Sequence, residues 1–296
     1  MPLSVQLEPH LASGRKQYVI RHELKARIEF AVQMTCERCE RKVRNALGDL
    51  KEIENLSISV ENGTVLVETS LPSSIIQDRI ESTGMKAVLK GFGSNKDGIG
   101  NKMAAVAMLG GNNGYGAGTV RGIVRFVQLD DAQCVIEGTV DGLDPGEHGL
   151  HVNECGDITN GCSSTGEHFN LKNTKHGAPD ADENNRHTGD LGNIKADSDG
   201  RATFRLVDRI LKVWDIIGRS IVVTAGQDDL GLGGNPQSQV DGNTGERLAC
   251  GIISRSAGVF ENSKKICACD GLTLWDEREK PANNPVIPSS SLCTYL

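Results

Sequence analysis

The stretch Ala26–Leu50, ARIEFAVQMTCERCERKVRNALGDL, decides the first half of the fold. Its opening alternates: Ile28, Phe30, Val32 and Met34 fall on one face of an extended chain, the period of a strand with one buried side. After Cys36 the period changes, because Val43, Leu47 and Leu50 recur at helical spacing. Strand therefore passes into helix across Met34-Thr35-Cys36-Glu37-Arg38-Cys39. Working outward, Leu56, Ile58 and Val60 lead to Asn62-Gly63, a strong hairpin turn, and Val65 and Val67 return as the paired strand. Pro72 then opens a second helix carrying Ile75, Ile76 and Ile80, with Ser73 or Ser74 as its cap, and Ala87–Leu89 closes the set as a last strand. The order is βαββαβ.

That order predicts a ferredoxin-like α+β domain over residues 26–91. Residues 92–102, FGSNKDGIGNK, sustain neither period and read as a linker. Residues 103–258 are different. Short β-rich runs such as Gly122–Val127 and Cys134–Val140 alternate with Asp-Gly, Pro-Gly and Gly-Gly turns, the pattern of an all-β barrel or sandwich. Residues 259–296 turn polar and then Pro/Ser-rich, so they read as an irregular tail with no core of its own. Residues 1–25 read as a disordered leader. The basic residues Arg15, Lys16, Arg21 and Lys25, against Glu8 and Glu23, make an organellar presequence the alternative.

Composition agrees with two domains. A chain of 296 residues exceeds one ordinary small core, and 38% hydrophobic with 24% charged residues is a soluble globular balance. Glycine at 35 residues with only 4% aromatics favours turn-rich β structure over helical bundles. The net charge of -7 argues against nucleic acid as a partner, and no apolar run is long enough for a membrane span. Nine cysteines, an odd number with two tight pairs, point to metal or redox chemistry rather than a secreted disulfide scaffold.

Cys36 and Cys39 sit where a strand meets a helix N-terminus, whose free amides and positive end favour thiolates. Two soft thiolates select Cu(I), and a two-ligand site leaves room for an incoming thiolate to join before an outgoing one departs. Such a site suits a carrier. Met34 reads as a plug under the loop rather than a ligand. Met-x-Cys-x-x-Cys at the first loop of a βαββαβ unit resembles the heavy-metal-associated domain of copper chaperones.

The second constellation is histidine. His148, His151, His168, His176 and His187 are five of the chain's seven histidines, and Asp190 follows closely. Three imidazoles and one carboxylate match a closed tetrahedral Zn(II) site, assigned to His168, His176, His187 and Asp190. GLHV at 149–152, GEHFN at 166–170, HTGDLGN at 187–193, DDLG at 228–231 and RLACG at 247–251 resemble Cu,Zn superoxide dismutase. That resemblance implies a Greek-key β-barrel, a Cys162–Cys250 disulfide, and Asp228 as the carboxylate linking the metal-site histidines. It also implies a departure. Of the four imidazoles a catalytic copper needs, His151 and the bridging His168 are present, but Asn153 and Thr224 occupy the other two ligand positions. His151 is then the remnant of a copper site, dismutation is not expected, and Arg247 is left to packing or hydrogen bonding.

The tail carries Cys267-Ala268-Cys269 behind Lys264 and Lys265, a second thiol pair suited to Cu(I). Cys134 reads as a core strand residue, Cys293 as an incidental tail thiol, and Cys155 has no assigned role. A heavy-metal-associated domain, a dismutase-like barrel with a broken copper site, and a terminal C-x-C together resemble the family of copper chaperones for superoxide dismutase. Runs such as KVWDIIGRS at 212–220 and CDGLTLW at 269–275 are similar to that family's own sequence. The resemblance implies a non-enzymatic metallochaperone of the oxidative-stress response. It would take Cu(I) from an upstream donor, dock on apo dismutase through the dismutase-type interface as a heterodimer, load copper and promote the target's intrasubunit disulfide. A homodimer in the absence of target is compatible with the same surface. The expected compartment is the cytoplasm, with a chloroplast or mitochondrial pool as an extension. Two alternatives stand beside this reading: an active dismutase with accessory metal domains, and a passive metal buffer.

Overall fold

The computed structural model describes residues 24–94, 103–111 and 118–262. Most of the leader and linker, and the tail with Cys267, Cys269 and Cys293, lie outside the described residues.

The N-terminal unit runs β1 (Ala26–Val32), α1 (Glu37–Gly48), β2 (Ile53–Ser59), β3 (Thr64–Thr69), α2 (Ser73–Glu81) and β4 (Ala87–Ser94). Its sheet is antiparallel in the order β2-β3-β1-β4, so the strand that leads to the thiols is flanked on both edges. Ile28, Phe30, Val65 and Val67 meet Val43, Leu47, Ile76 and Ile80 from the helices, all fully buried. The β2–β3 hairpin turns at Gly63, whose φ of +60° is a conformation that favours glycine.

Two features depart from the sequence reading. β4 runs on to Ser94, because Phe92, Gly93 and Ser94 pair with Ile28, Arg27 and Ala26 beyond a bulge at Glu29/Phe30. β1 is also buried on both faces: Glu29 and Ala31 are covered as well as the alternating apolar positions.

The second unit comprises β5 (Ala104–Gly111), β6 (Arg121–Asp130), β7 (Gln133–Asp141), β8 (Gly146–Asn153), β9 (Thr159–Cys162), β10 (Asp190–Ala196), β11 (Arg201–Asp208), β12 (Ser220–Thr224), β13 (Arg247–Ile252) and β14 (Ser254–Ser256). Two single-turn helices, α3 (Val213–Ile216) and α4 (Ser238–Asp241), interrupt them. The ladder runs β10-β8-β12-β13-β5-β6-β7-β11, with β14 added to β5, and makes a nearly closed antiparallel barrel. Because β7 and β8 are not neighbours, nor β11 and β12, the chain crosses the barrel ends in Greek-key fashion. The barrel is filled by Val124, Phe126, Ile136, Leu150, Val152, Ile194, Ile221 and Val223. The connections between β8 and β10 and between β12 and β13 carry the polar residues of the histidine cluster.

The two units share apolar surface. Ala104, Val127, Leu129 and Val135 of the barrel belong to the same buried cluster as the N-terminal sheet, and Ser94 Oγ donates to Leu129 O at 2.7 Å.

Candidate metal centres

The thiol pair is built by the β1–α1 junction. Cys36 is the residue before the helix, in extended conformation, and its carbonyl accepts the amides of Cys39 and Glu40 at 3.0 and 3.3 Å. This turn brings the two sulfurs within 3.5 Å of each other, close enough to share one ion, with Cys36 exposed and Cys39 half-buried. The Thr35 backbone and the Cys36 thiol hold the Cys39 thiol down to about 7, so a thiolate is available at neutral pH. Met34 is buried in the apolar cluster beneath the loop, as a plug.

The histidines converge from β8 and the long connection that follows it. His151 lies on β8, His168 and His176 on the β8–β10 connection, His187 at its end, and Asp190 opens β10. Their convergence is dictated by two carboxylates. Asp190 Oδ1 lies 2.9, 3.0 and 3.3 Å from the Nδ1 atoms of His168, His176 and His187. Asp190 Oδ2 is fixed by the amides of Gly177 (3.1 Å) and His187 (2.8 Å). Asp228, from the β12–β13 connection, reaches His151 Nε2 and His176 Nε2, each at 2.8 Å. Asn193 holds Asp228 in turn, Oδ1 accepting its amide and Nδ2 donating to its carbonyl. Gly242, at φ +70°, is required here, since a Cβ would stand 2.1 Å from Asp228 Oδ1.

A carboxylate at Nε2 sets the tautomer: the proton sits on Nε2 and the Nδ1 lone pair is left bare. His151 Nδ1 and His176 Nδ1, whose Nε2 atoms face Asp228, are buried without a hydrogen-bond partner, as is His187 Nδ1. His168 Nδ1 bonds Asp190 Oδ1 and the Nδ1 atoms of His176 and His187 lie beside the same oxygen, so three imidazole nitrogens surround it. Ligand atoms about 2.0 Å from a tetrahedral metal stand about 3.3 Å from one another, close to the separations seen. The three separations from Asp190 are those a tetrahedral ion on His168, His176, His187 and Asp190 would need, while the described group whose ligand atoms all lie within 4.8 Å of one another has His151 in place of His187. Burial would raise the Asp190 carboxyl, but His168, His176 and His187 crowded against it hold it far below the usual range. Burial and the neighbouring His151 push His168 down to about 3. At His176 burial works downward, but Asp190 and Asp228 prevail and hold it up to about 9, so a metal binding at Nδ1 would displace a proton from it.

His151 is closer to this centre than its sequence position suggests. His151, His168, His176 and Asp190 offer ligand atoms within 4.8 Å of one another, and the His151 and His168 rings stack with centroids 3.9 Å apart. The other two positions of a dismutase copper site are committed elsewhere. Asn153 Nδ2 donates to Gly166 O (2.8 Å) and Thr165 Oγ1 (3.2 Å), tying the β8–β10 connection to the barrel. Thr224 Oγ1 donates to Gly149 O at 3.3 Å.

Cys162 and Cys250 are joined in a disulfide between β9 and β13, and Arg247 Nη1 donates to Cys162 O (3.1 Å) and Thr165 Oγ1 (3.0 Å). Cys134 is fully buried on β7, where burial pushes its thiol pKa up, and Cys155 is an exposed free thiol. Asn193 and Gly242 had no assigned role in the sequence reading. Asn193 closes a quoted motif, whereas nothing local marks Gly242 beyond the Asp-Gly dipeptide.

On the barrel exterior, Met108 of β5 and Ile252 of β13 are large exposed apolar side chains on paired strands, and Trp214 of α3 is a third. No described helix is long and apolar enough to cross a membrane.

Comparison with known proteins places both centres in familiar surroundings. Residues 29–86 match the heavy-metal-associated domain and residues 120–253 match copper/zinc superoxide dismutase. Over 254 residues the chain is 55% identical to the copper chaperone for superoxide dismutase of Homo sapiens, covering 86% of this chain and 89% of that protein. The Rattus norvegicus protein of the same name is 54% identical over the same span and coverage. A chloroplastic/cytosolic copper chaperone for superoxide dismutase from Arabidopsis thaliana is 36% identical over 248 residues, 84% of this chain and 69% of that protein.

Proposed function

This chain belongs to the family of copper chaperones for superoxide dismutase, and on that premise we propose that it carries Cu(I) on Cys36 and Cys39 to an apo Cu,Zn superoxide dismutase. It is a metallochaperone and not an enzyme. The observation that carries the proposal is the thiol pair itself, 3.5 Å apart at the mouth of a helix, with Cys39 ionising near 7. Two sulfurs hold a soft monovalent ion while leaving coordination positions open, so a third thiolate can attack before either original one leaves.

Zn(II) is the resident metal in this reading, held by His168, His176, His187 and Asp190. When bound it supplies a closed, redox-inert cross-link between the long β8–β10 connection and β10. Asp228 orients His176 for that role and also holds His151, which remains as the remnant of a second position. Asn153 and Thr224 leave that position without the imidazoles that copper turnover needs, and Asn153 instead ties the connection to the barrel.

Docking on the target uses the dismutase-type face of the barrel, for which the exposed Met108 and Ile252 are the apolar support. The same face permits a homodimer when no target is present. Cys267 and Cys269 complete delivery. As a disulfide, that pair is attacked by one target thiolate to form a mixed disulfide. The second target thiolate then displaces it, leaving the target oxidised and the C-x-C reduced. An upstream copper donor reloads Cys36 and Cys39, and the site of action is the cytoplasm with an organellar share.

The test is copper loading of apo dismutase by the full chain in the presence of a competing Cu(I) chelator. A Cys36→Ser, Cys39→Ser variant is expected to lose most loading, and a Cys267→Ser, Cys269→Ser variant to lose both loading and target disulfide. Unchanged loading by the first variant removes the carrier role, and an unchanged target by the second removes the tail's.

A further inference from the structure

One ion pair is buried far from the metal centres. Glu137 of β7 and Arg205 of β11 are directly opposed in the ladder, with Oε2 and Nη1 3.1 Å apart, and are only 2% and 6% exposed. What covers them is the N-terminal unit. Arg205 Nη1 donates to Leu71 O at 3.1 Å, and Nη2 donates to Thr69 O at 3.3 Å and Leu24 O at 3.4 Å. Its guanidinium also lies 5.9 Å from the centre of the Phe92 ring. Glu137 accepts the amide of Ser73, the first residue of α2, at 3.3 Å through each oxygen. Neither serine of that helix caps it through a side chain; the carboxylate that meets its N-terminus comes from the other unit. A buried charge is tolerated only where its partners are complete, and here three acceptors and one donor belong to a different domain.

We propose that Glu137 and Arg205 form a latch that holds the thiol-bearing unit on the barrel in one orientation, with the thiol loop at the far end of the sheet. The seam residues Thr69 and Ser94 pair with Ala26, at the start of β1, whereas Val32, next to the thiol loop, pairs with Ala87. The length of β1 separates the two ends, about 20 Å at strand rise. A second clamp acts at mid-sheet. Phe260 N donates to Glu29 Oε2 at 2.7 Å, Lys90 Nζ lies 3.2 Å from Glu29 Oε1, and the 258–259 backbone crosses so near Gly91 that a Cβ there would meet Gly258 O at 2.5 Å. The N-terminal unit is thus held between barrel and outgoing chain, and Cys36 and Cys39 are presented away from the seam. Glu137 and Arg205 are positioning residues and touch no metal. The consequence for delivery rests on the chaperone reading, but the latch concerns orientation and is measured without copper.

The experiment is amide relaxation on the full chain, comparing rotational correlation times of residues 26–91 and 120–253. The wild type is expected to show one common value. In Glu137→Gln, Arg205→Met, which removes both charges of the pair and leaves Arg125 of β6, the other residue opposite Glu137, without its carboxylate, the value for 26–91 is expected to fall roughly twofold as the unit moves on its linker. Cu(I) affinity at the thiols should stay within about twofold, because the latch lies at the opposite end of β1. A merely stabilising role would lower the melting temperature without separating the two correlation times. If the double variant does not fold, Ser73→Pro deletes only the donated amide, and Pro72, at φ -57° and ψ 145°, already has the conformation that precedes a proline. It is expected to shorten the value for 26–91 by a smaller fraction. Separate correlation times in the wild type, or a common value in whichever variant is read, would overturn the latch.

Discussion

Removing the Cys162–Cys250 cross-link by Cys162→Ala, Cys250→Ala is expected to destabilise the barrel by about 4.5 kcal/mol. The figure follows from topology: the bond closes a loop with a sequence separation of 88, and the chain-entropy relation gives about 4.5 kcal/mol for a loop of that size. The half-cystines are buried beside Val222, so alanine is the right replacement; serine would add two buried hydroxyls. The native loop should persist, since Arg247 still donates to Cys162 O and Thr165 Oγ1. Scanning calorimetry with a metal chelator present should show the barrel transition about 9–18 °C lower. Reducing the wild type without mutation should reproduce most of the shift, which separates the cross-link from the lost sulfur packing. A loss under about 1 kcal/mol would refute the reasoning, for it would mean that the unfolded chain keeps this loop nearly closed without the bond.

Further outcomes concern the two centres and the docking face. Because Cys39 titrates at about 7, its thiolate is present above that pH and lost as pH falls through it. Alkylation of Cys39, followed by mass spectrometry, should be half-maximal near pH 7, and a midpoint near the ordinary thiol value would contradict the helix-mouth geometry. Asp228→Asn should weaken zinc binding about 10–100-fold by unsettling the His176 tautomer, and His187→Ala should do at least as much. Competition with a zinc chelator measures both, and unaltered affinity in His187→Ala would take that residue out of the donor set. Met108→Glu with Ile252→Lys should weaken the complex with apo dismutase by about tenfold or more while leaving the barrel folded, as read by sedimentation and circular dichroism. Equal complex formation would move the docking face elsewhere.

The N-terminal unit was legible because its signals are local. Alternation in β1, helical spacing after Cys36 and the Asn62-Gly63 turn each report on a few neighbouring residues, and the structure places β1, α1 and the β2–β3 hairpin accordingly. The barrel's short strands between glycine turns were equally readable, but their order in the ladder was not. Neither periodicity nor turn chemistry says that β8 pairs with β12; the expectation of a Greek key rested on resemblance. Nor did alternation show that β1 would be buried on both faces, for Glu29 is covered by a residue more than two hundred positions away.

The sequence alone singled out the residues proposed to bind metal: a thiol pair at a strand-to-helix turn, and histidines with one aspartate in motifs that resemble those of a dismutase. Only the tertiary structure decided how they work together. Asp190 and Asp228 hold the imidazoles across segments that no short window connects, and Glu137 meets the N-terminus of α2 at the Ser73 amide, at the helix end where a capping serine was expected. The reason is physical. Strand and helix signals are carried by neighbours in the chain, whereas a buried charge is satisfied by whatever the fold brings to it, and that is settled only when the distant parts have packed.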